Sequence, residues 1–285
     1  MTTTSVLPGL VDAHVHLGLV NYPALVGSPV VEVHDLGWLP GSVEGWRREI
    51  GSSVEVRAAG PFHAAPGGYP HGRSWAPEGS VREITDAESA RQAVSAAVAA
   101  NAHTFKVTLH TGGPRLDRDL LHTLVRTAHA ADLTVSAHAE GAGQANEAAE
   151  AGVDVLVHAP WTETLDQATL RRMAGKVSWI STFAIHEAPQ RQVALDNARR
   201  FLALGGEMRY GTDMGNGPTP VGVNEAEILL LGEAGLSGDR LLTALTGVLN
   251  LKDASPERLL HSKRPLPHTA AEYAEWFSTA EVSSR

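Results

Sequence analysis

Short apolar runs alternate with amphipathic helical patterns along most of the chain, and this rhythm limits its possible folds more than any single motif. Eight segments, rich in β-branched residues or bounded by turns, read as buried strands: 11–18, 30–36, 53–60, 104–110, 133–139, 153–159, 177–183 and 207–213. Helical patterns fall at 85–101, opened by Thr85 or Asp86 as N-cap, and at 116–131, 143–151, 163–174, 187–204 and 223–235. A helix between two strands returns the chain to run the second strand parallel to the first, and eight such units favour a closed barrel over an open sheet. The expectation is one α/β domain over 1–285, a (β/α)8 TIM barrel with 237–260 as extra C-terminal helices and a mixed tail beyond His261. The chain's 285 residues suit that fold, for which ~250 residues is usual.

The stretch 61–84 breaks the rhythm. It carries Gly67-Gly68-Tyr69-Pro70-His71-Gly72-Arg73 and neither helical nor strand periodicity, so it reads as a long loop. Such loops inside compact domains commonly cover binding sites, and this one follows the third strand on the face where barrel active sites form.

Bulk properties narrow the partners. The net charge of -9, with Lys and Arg scattered, offers no surface for nucleic acid or for an anionic membrane. Met1 to Ser5 lack the basic and apolar regions of a leader, and no apolar stretch approaches the ~20 residues that span a bilayer. A cytoplasmic location and a small-molecule substrate are expected, and assembly into a homo-oligomer is left open. There is no cysteine, so any metal must be held by nitrogen and oxygen.

Six polar residues stand inside or just past these apolar runs: His14, His16, Lys106, His138, His158 and Asp213. In Val11-Asp12-Ala13-His14-Val15-His16-Leu17-Gly18 the alternation puts both histidines on one strand face, where they can close on one ion. One buried histidine alone is more often a hydrogen-bonded core residue. Six polar groups placed near the C-terminal ends of predicted strands converge on one barrel mouth, and packing gives no reason for that.

The order and setting of these residues resemble the amidohydrolase superfamily. Leu7-Pro8-Gly9-Leu10-Val11-Asp12-Ala13-His14-Val15-His16 is similar to its first-strand signature and Gly211-Thr212-Asp213 to its last. Phe105-Lys106-Val107, Ala137-His138-Ala139-Glu140-Gly141 and Val157-His158-Ala159 are similar to its imidazolonepropionase-like and prolidase-like branch. The resemblance implies a binuclear centre with His14, His16 and Asp213 on one metal and His138 and His158 on the other. It also implies a carbamylated (carboxylated) Lys106 as bridging ligand. Zn is the first choice for the two divalent ions, with Mn, Fe, Co and Ni using the same donors. A metal-activated hydroxide would cleave a C–N bond in a small amide, cyclic amide or dipeptide-like molecule, with Asp213 as catalytic proton shuttle. A lactonase, a lyase or decarboxylase, and a non-catalytic metal-dependent binding protein are the alternatives. Relatives carry a β-sandwich built from both termini, which is expected to be absent here because only Met1 to Ser5 precede Val6 and the first motif.

Secondary candidates surround the mouth. His110 lies on the face of Lys106 and suits substrate contact, as do Tyr69, His71 and Arg73 of the long loop, Arg73 being suited to a substrate carboxylate. His34, His63 and His186 could also reach the pocket, and His122 and His129 read as surface residues. Glu140 follows His138 by two positions, whereas deaminases of the superfamily place their catalytic Glu three beyond, which argues against deamination. Asp12 lies deeper on the His14 face and reads as a buried hydrogen-bonding group.

Overall fold

A computed structural model describes residues 4–248, 255 and 258–282. Two parallel sheets carry the site. The first contains β2 (Leu10–Val15), β3 (Val30–Asp35) and β4 (Glu55–Ala58), hydrogen-bonded in that order. The second comprises β5 (Phe62–Ala64), β6 (Val81–Glu83), β7 (Phe105–His110), β8 (Val135–Glu140), β9 (Val155–Leu156), β10 (Ser178–Ile180) and β11 (Met208–Arg209), in the order β11-β10-β9-β8-β7-β5-β6. At one seam Val15 bridges Met214, Asp213 N donates to His14 O at 2.8 Å and His16 N to Met214 O at 2.7 Å. At the other, His103 N donates to Ala58 O at 2.9 Å. Parallel strands with intervening helices give a TIM-barrel-like α/β fold.

The helices are α1 (Ser42–Ile50), α2 (Ala87–Ala99), α3 (Arg118–His129), α4 (Gln144–Ala151), α5 (Gln167–Met173), α6 (Ala188–Ala203), α7 (Glu225–Glu233), α8 (Gly238–Thr246) and α9 (Ala270–Thr279). Side-chain caps fix several starts. Asp86 and Ser89 form a capping box on α2, and Asp117, Asp166 and Asn224 accept the third N–H of α3, α5 and α7. The apolar faces pack inward, where Trp179 of β10 stacks on Phe201 of α6 at 3.9 Å.

Several expectations need correction. The stretch 61–84 is not free of regular structure: β5 and β6 lie in it and pair in parallel, each of three residues and so too short to show a period. Helix α1 was not foreseen; Trp46 and Ile50 bury its inner face. Within 237–260 the expected C-terminal helix is present as α8; 249–254 and 256–257 lie outside the described residues, and a strand begins at Leu259. Against the expected absence of a terminal β-sandwich, β1 (Ser5–Pro8), β12 (Leu259–Ser262) and β13 (Glu281–Val282) join both ends in one three-stranded antiparallel sheet. No described helix is long and apolar enough to cross a membrane.

Candidate metal centre

His14, His16, Lys106, His138, His158 and Asp213 all line one cavity of about 460 Å³. They arrive by different routes. His14 is the fifth residue of β2, and His16 lies just beyond its end. His138 sits in β8, opposite Thr108 of β7, while His158 and Asp213 follow the short strands β9 and β11. Lys106 was placed near the end of its strand and is instead the second residue of β7. Its long stem still carries the amine to the cavity.

Local chemistry explains the Gly211-Thr212-Asp213 motif. A Cβ on Gly211 would stand 2.3 Å from Ile180 Cγ2 and 3.1 Å from His14 N, so only glycine lets this segment approach β2. The hydroxyl and N–H of Thr212 donate to Asp12 at 2.6 and 3.0 Å, the buried role expected of that carboxylate. Asp213 then adopts a left-handed backbone, φ 51°, that turns its side chain back over the histidines.

The ring nitrogens define the donor set. His14 Nδ1 donates to Val157 O at 2.8 Å and His16 Nδ1 to Gly37 O at 3.1 Å, since a carbonyl can only accept. In the neutral rings both Nε2 atoms therefore carry lone pairs. They face each other at 3.3 Å, and each lies 3.3 Å from Asp213 Oδ1, a buried oxygen with no hydrogen-bond partner among the described residues. Three acceptors directed at one another call for a cation. His14, His158 and Asp213 also offer ligand atoms within 4.8 Å of one another, so the donor set fits a divalent metal.

Burial holds the His14 and His158 rings well below their ordinary pKa, despite the opposing pull of Asp213 on both. They are thus neutral, the form that binds metal. Lys106 is pushed down to about 7 by burial, against the pull of Asp213 and Asp35. His138 Nε2 donates to Glu140 at 3.0 Å, leaving Nδ1 to meet His158 Nε2 at 3.1 Å, and His158 Nδ1 contacts Thr182 Oγ1 at 2.8 Å.

The secondary candidates divide. Tyr69 lines the cavity and stacks on His138 at 4.8 Å and on His110 at 4.9 Å. His110 does not line it and lies behind Glu140, 3.3 Å from that carboxylate. His71 is exposed beside Glu83, and Arg73 is exposed with its guanidinium 5.6 Å over the Tyr69 ring. His34 pairs with Glu32, and His63 donates to Lys106 O; neither lines this cavity, whereas His186 does. His129 pairs with Asp154 on the surface. Sequence reasoning missed Trp161 and Asn216 as cavity residues, and it weighed Glu140 only against deamination. Trp161, three residues beyond His158, carried a readable signal: an aromatic residue just past a cavity histidine.

No protein-family model and no curated protein matches the chain. Solved structures do share its fold, which is that of prolidase-like proteins and amidohydrolases. A Xaa-Pro dipeptidase with methionine bound in its active site superposes with TM-score 0.75 at 19% identity, over 97% of this chain and 84% of that one. A. niger ochratoxinase gives 0.72 at 18%, over 96% and 80%, and phenylurea hydrolase B gives 0.73 at 14%, over 96% and 82%.

Proposed function

We propose that the chain is a metal-dependent hydrolase of the amidohydrolase type, built on a closed eight-stranded barrel and cleaving a C–N bond in a small amide, cyclic amide or dipeptide-like molecule. The observation that carries this reading is the meeting of His14 Nε2, His16 Nε2 and Asp213 Oδ1, three lone-pair donors in a buried space. The neighbours named dipeptidase and phenylurea hydrolase support the bond class. In this reading His14, His16 and Asp213 would hold one divalent ion, His138 and His158 would hold a second, and a carboxylated Lys106 would supply a further anionic oxygen ligand. Zinc is the first choice for this donor set. Such ions, when bound, polarise a carbonyl and lower the pKa of water enough for attack at neutral pH.

The chain's own groups supply the rest. With its pKa near 7, a large share of Lys106 is the neutral amine at neutral pH. Its lone pair adds to carbon dioxide, one proton leaves, and the resulting carbamate is an anion where an ammonium would repel cations. Asn216 donates to Asp213 Oδ2 at 2.9 Å and keeps Oδ1 turned to the histidines. Asp213 takes the proton of the attacking water and delivers it to the departing amine.

Amide hydrolysis measured before chelation, after it, and after zinc is returned tests the reading. Activity should vanish and recover with the metal; activity persisting in protein shown to be metal-free would overturn it.

A further inference from the structure

On the face of the strands turned away from the metal centre, α1 and α2 line a second cavity of about 320 Å³. It shares no lining residue with the metal centre. Part of the wall between the two is the segment 61–63, whose alternation turns Phe62 to the metal centre and Pro61 and His63 to the outer cavity. The sequence of α2 leaves this space open. Ala93, Ala96, Ala97 and Ala100 fall at i, i+3, i+4 and i+7 on one face of the helix and its C-cap, and methyl groups are too short to fill the gap that Trp38 and Trp46 line from the α1 side.

This cavity also carries a cation that the fold leaves unused. Arg82 of β6 pairs in register with His63 of β5, so both side chains leave the sheet on one face, and both line the cavity. Arg82 is partly exposed, and its guanidinium makes no hydrogen bond or ion pair among the described residues. Arg47 of α1 lines the cavity as well; it spends three of its five N–H groups on Val56 O and Glu44 and keeps two. His63 adds no positive charge, because burial first and the Arg82 charge after it lower its ring to about 4. The one carboxylate among the described lining residues, Asp35, is 1% exposed, and its oxygens accept from Gly37 N at 3.2 Å and Leu17 N at 2.8 Å. An incoming anion therefore meets an accessible, unpaired guanidinium and an acid that is buried and already satisfied.

We propose that this cavity is a second ligand site, separate from the metal centre, and that it takes a monocarboxylate with a compact aromatic or apolar body. The body lies on the alanine face of α2 against Trp38 and Trp46, and the carboxylate pairs with Arg82, whose planar fork matches its two oxygens. At about 320 Å³ the cavity falls at the lower end of the ~300–1,000 Å³ of small-molecule sites, which suits one such molecule and excludes a folded partner. The site stands apart from the hydrolase reading, since no residue serves both cavities.

Purified full-length protein is titrated by calorimetry with 2-naphthoate, its neutral isostere 2-naphthamide, and acetate, and the titrations are repeated after chelation, so that a carboxylate bound to metal is told apart from one bound here. After chelation 2-naphthoate should still bind, about tenfold tighter than 2-naphthamide, and acetate, which lacks the apolar body, should not. Arg82→Gln should remove the preference for the carboxylate. Ala96→Phe, which fills the cavity from an exposed position on α2, should abolish binding while metal content and thermal unfolding stay unchanged. Binding of 2-naphthoate that disappears with the metal, or that survives both substitutions, would overturn the assignment. Equal affinity for the amide, or no binding of either naphthalene, would overturn it too. So would a dimer in sedimentation that Ala96→Phe splits, since a second copy of the chain would then fill the space.

Discussion

Glu140 accepts a 3.0 Å hydrogen bond from Nε2 of His138, and this fixes which nitrogen of that ring faces His158 and the cavity. With Nε2 committed as donor, Nδ1 is left to the site beside His158. Carboxylates that orient ligand histidines typically contribute 10–100-fold to metal affinity. Glu140→Ala should therefore weaken retention of one metal equivalent by about that factor, read by competition with a chelator, while thermal unfolding of the metal-free protein changes little.

Asp213→Asn keeps an oxygen for ligation but loses the proton acceptor. Turnover should fall about 10²- to 10⁴-fold, the range for losing a general base, with most of the metal still bound. A variant that retains full activity would remove the proton-transfer role from Asp213.

Glu227 of α7 is fully buried and accepts from Phe183 N at 2.9 Å and Ala184 N at 2.7 Å. These bonds fix the turn after Thr182, whose hydroxyl contacts His158 and whose backbone is left-handed, φ 47°. Glu227→Ala strands the buried N–H of Phe183 and the half-buried N–H of Ala184 and should cost about 2–6 kcal/mol in urea unfolding, taking roughly 1–3 kcal/mol for each. A loss within ±0.5 kcal/mol, the range of neutral surface changes, would show that the turn holds without it.

Burial lowers the His63 ring from 6.5 to about 4. The unfolded chain thus takes up a proton between those values that the folded chain refuses. This contribution is complete above pH 6.5 and is lost as pH falls toward 4, the loss reaching about 2 kcal/mol at pH 5. Urea titrations of metal-free protein at pH 7 and pH 5 should show the loss, and His63→Gln should reduce it.

The sequence exposed the parts of this molecule that repeat. Alternation around His14 and His16 put both rings on one face, and their Nε2 atoms do stand 3.3 Å apart. The strand order from β7 through β11 followed from the helices between them. Hidden features were short or distant in sequence. Three residues of β5 or β6 cannot display a period, and the pairing of Ser5 with Ser262 joins the two ends of the chain with no local signal. Glu227 was obscured because one acid in a helix of apolar and acidic residues looks like a solvated one; only the N–H groups of Phe183 and Ala184 explain its burial.

The most direct test of the central claim is the metal content of purified protein grown with zinc, measured per chain by elemental analysis together with intact mass under conditions that preserve a lysine carbamate. Two equivalents and a carbon dioxide adduct lost on Lys106→Met are predicted. Less than one equivalent would contradict the assignment of His14, His16, His138, His158 and Asp213 as a metal centre.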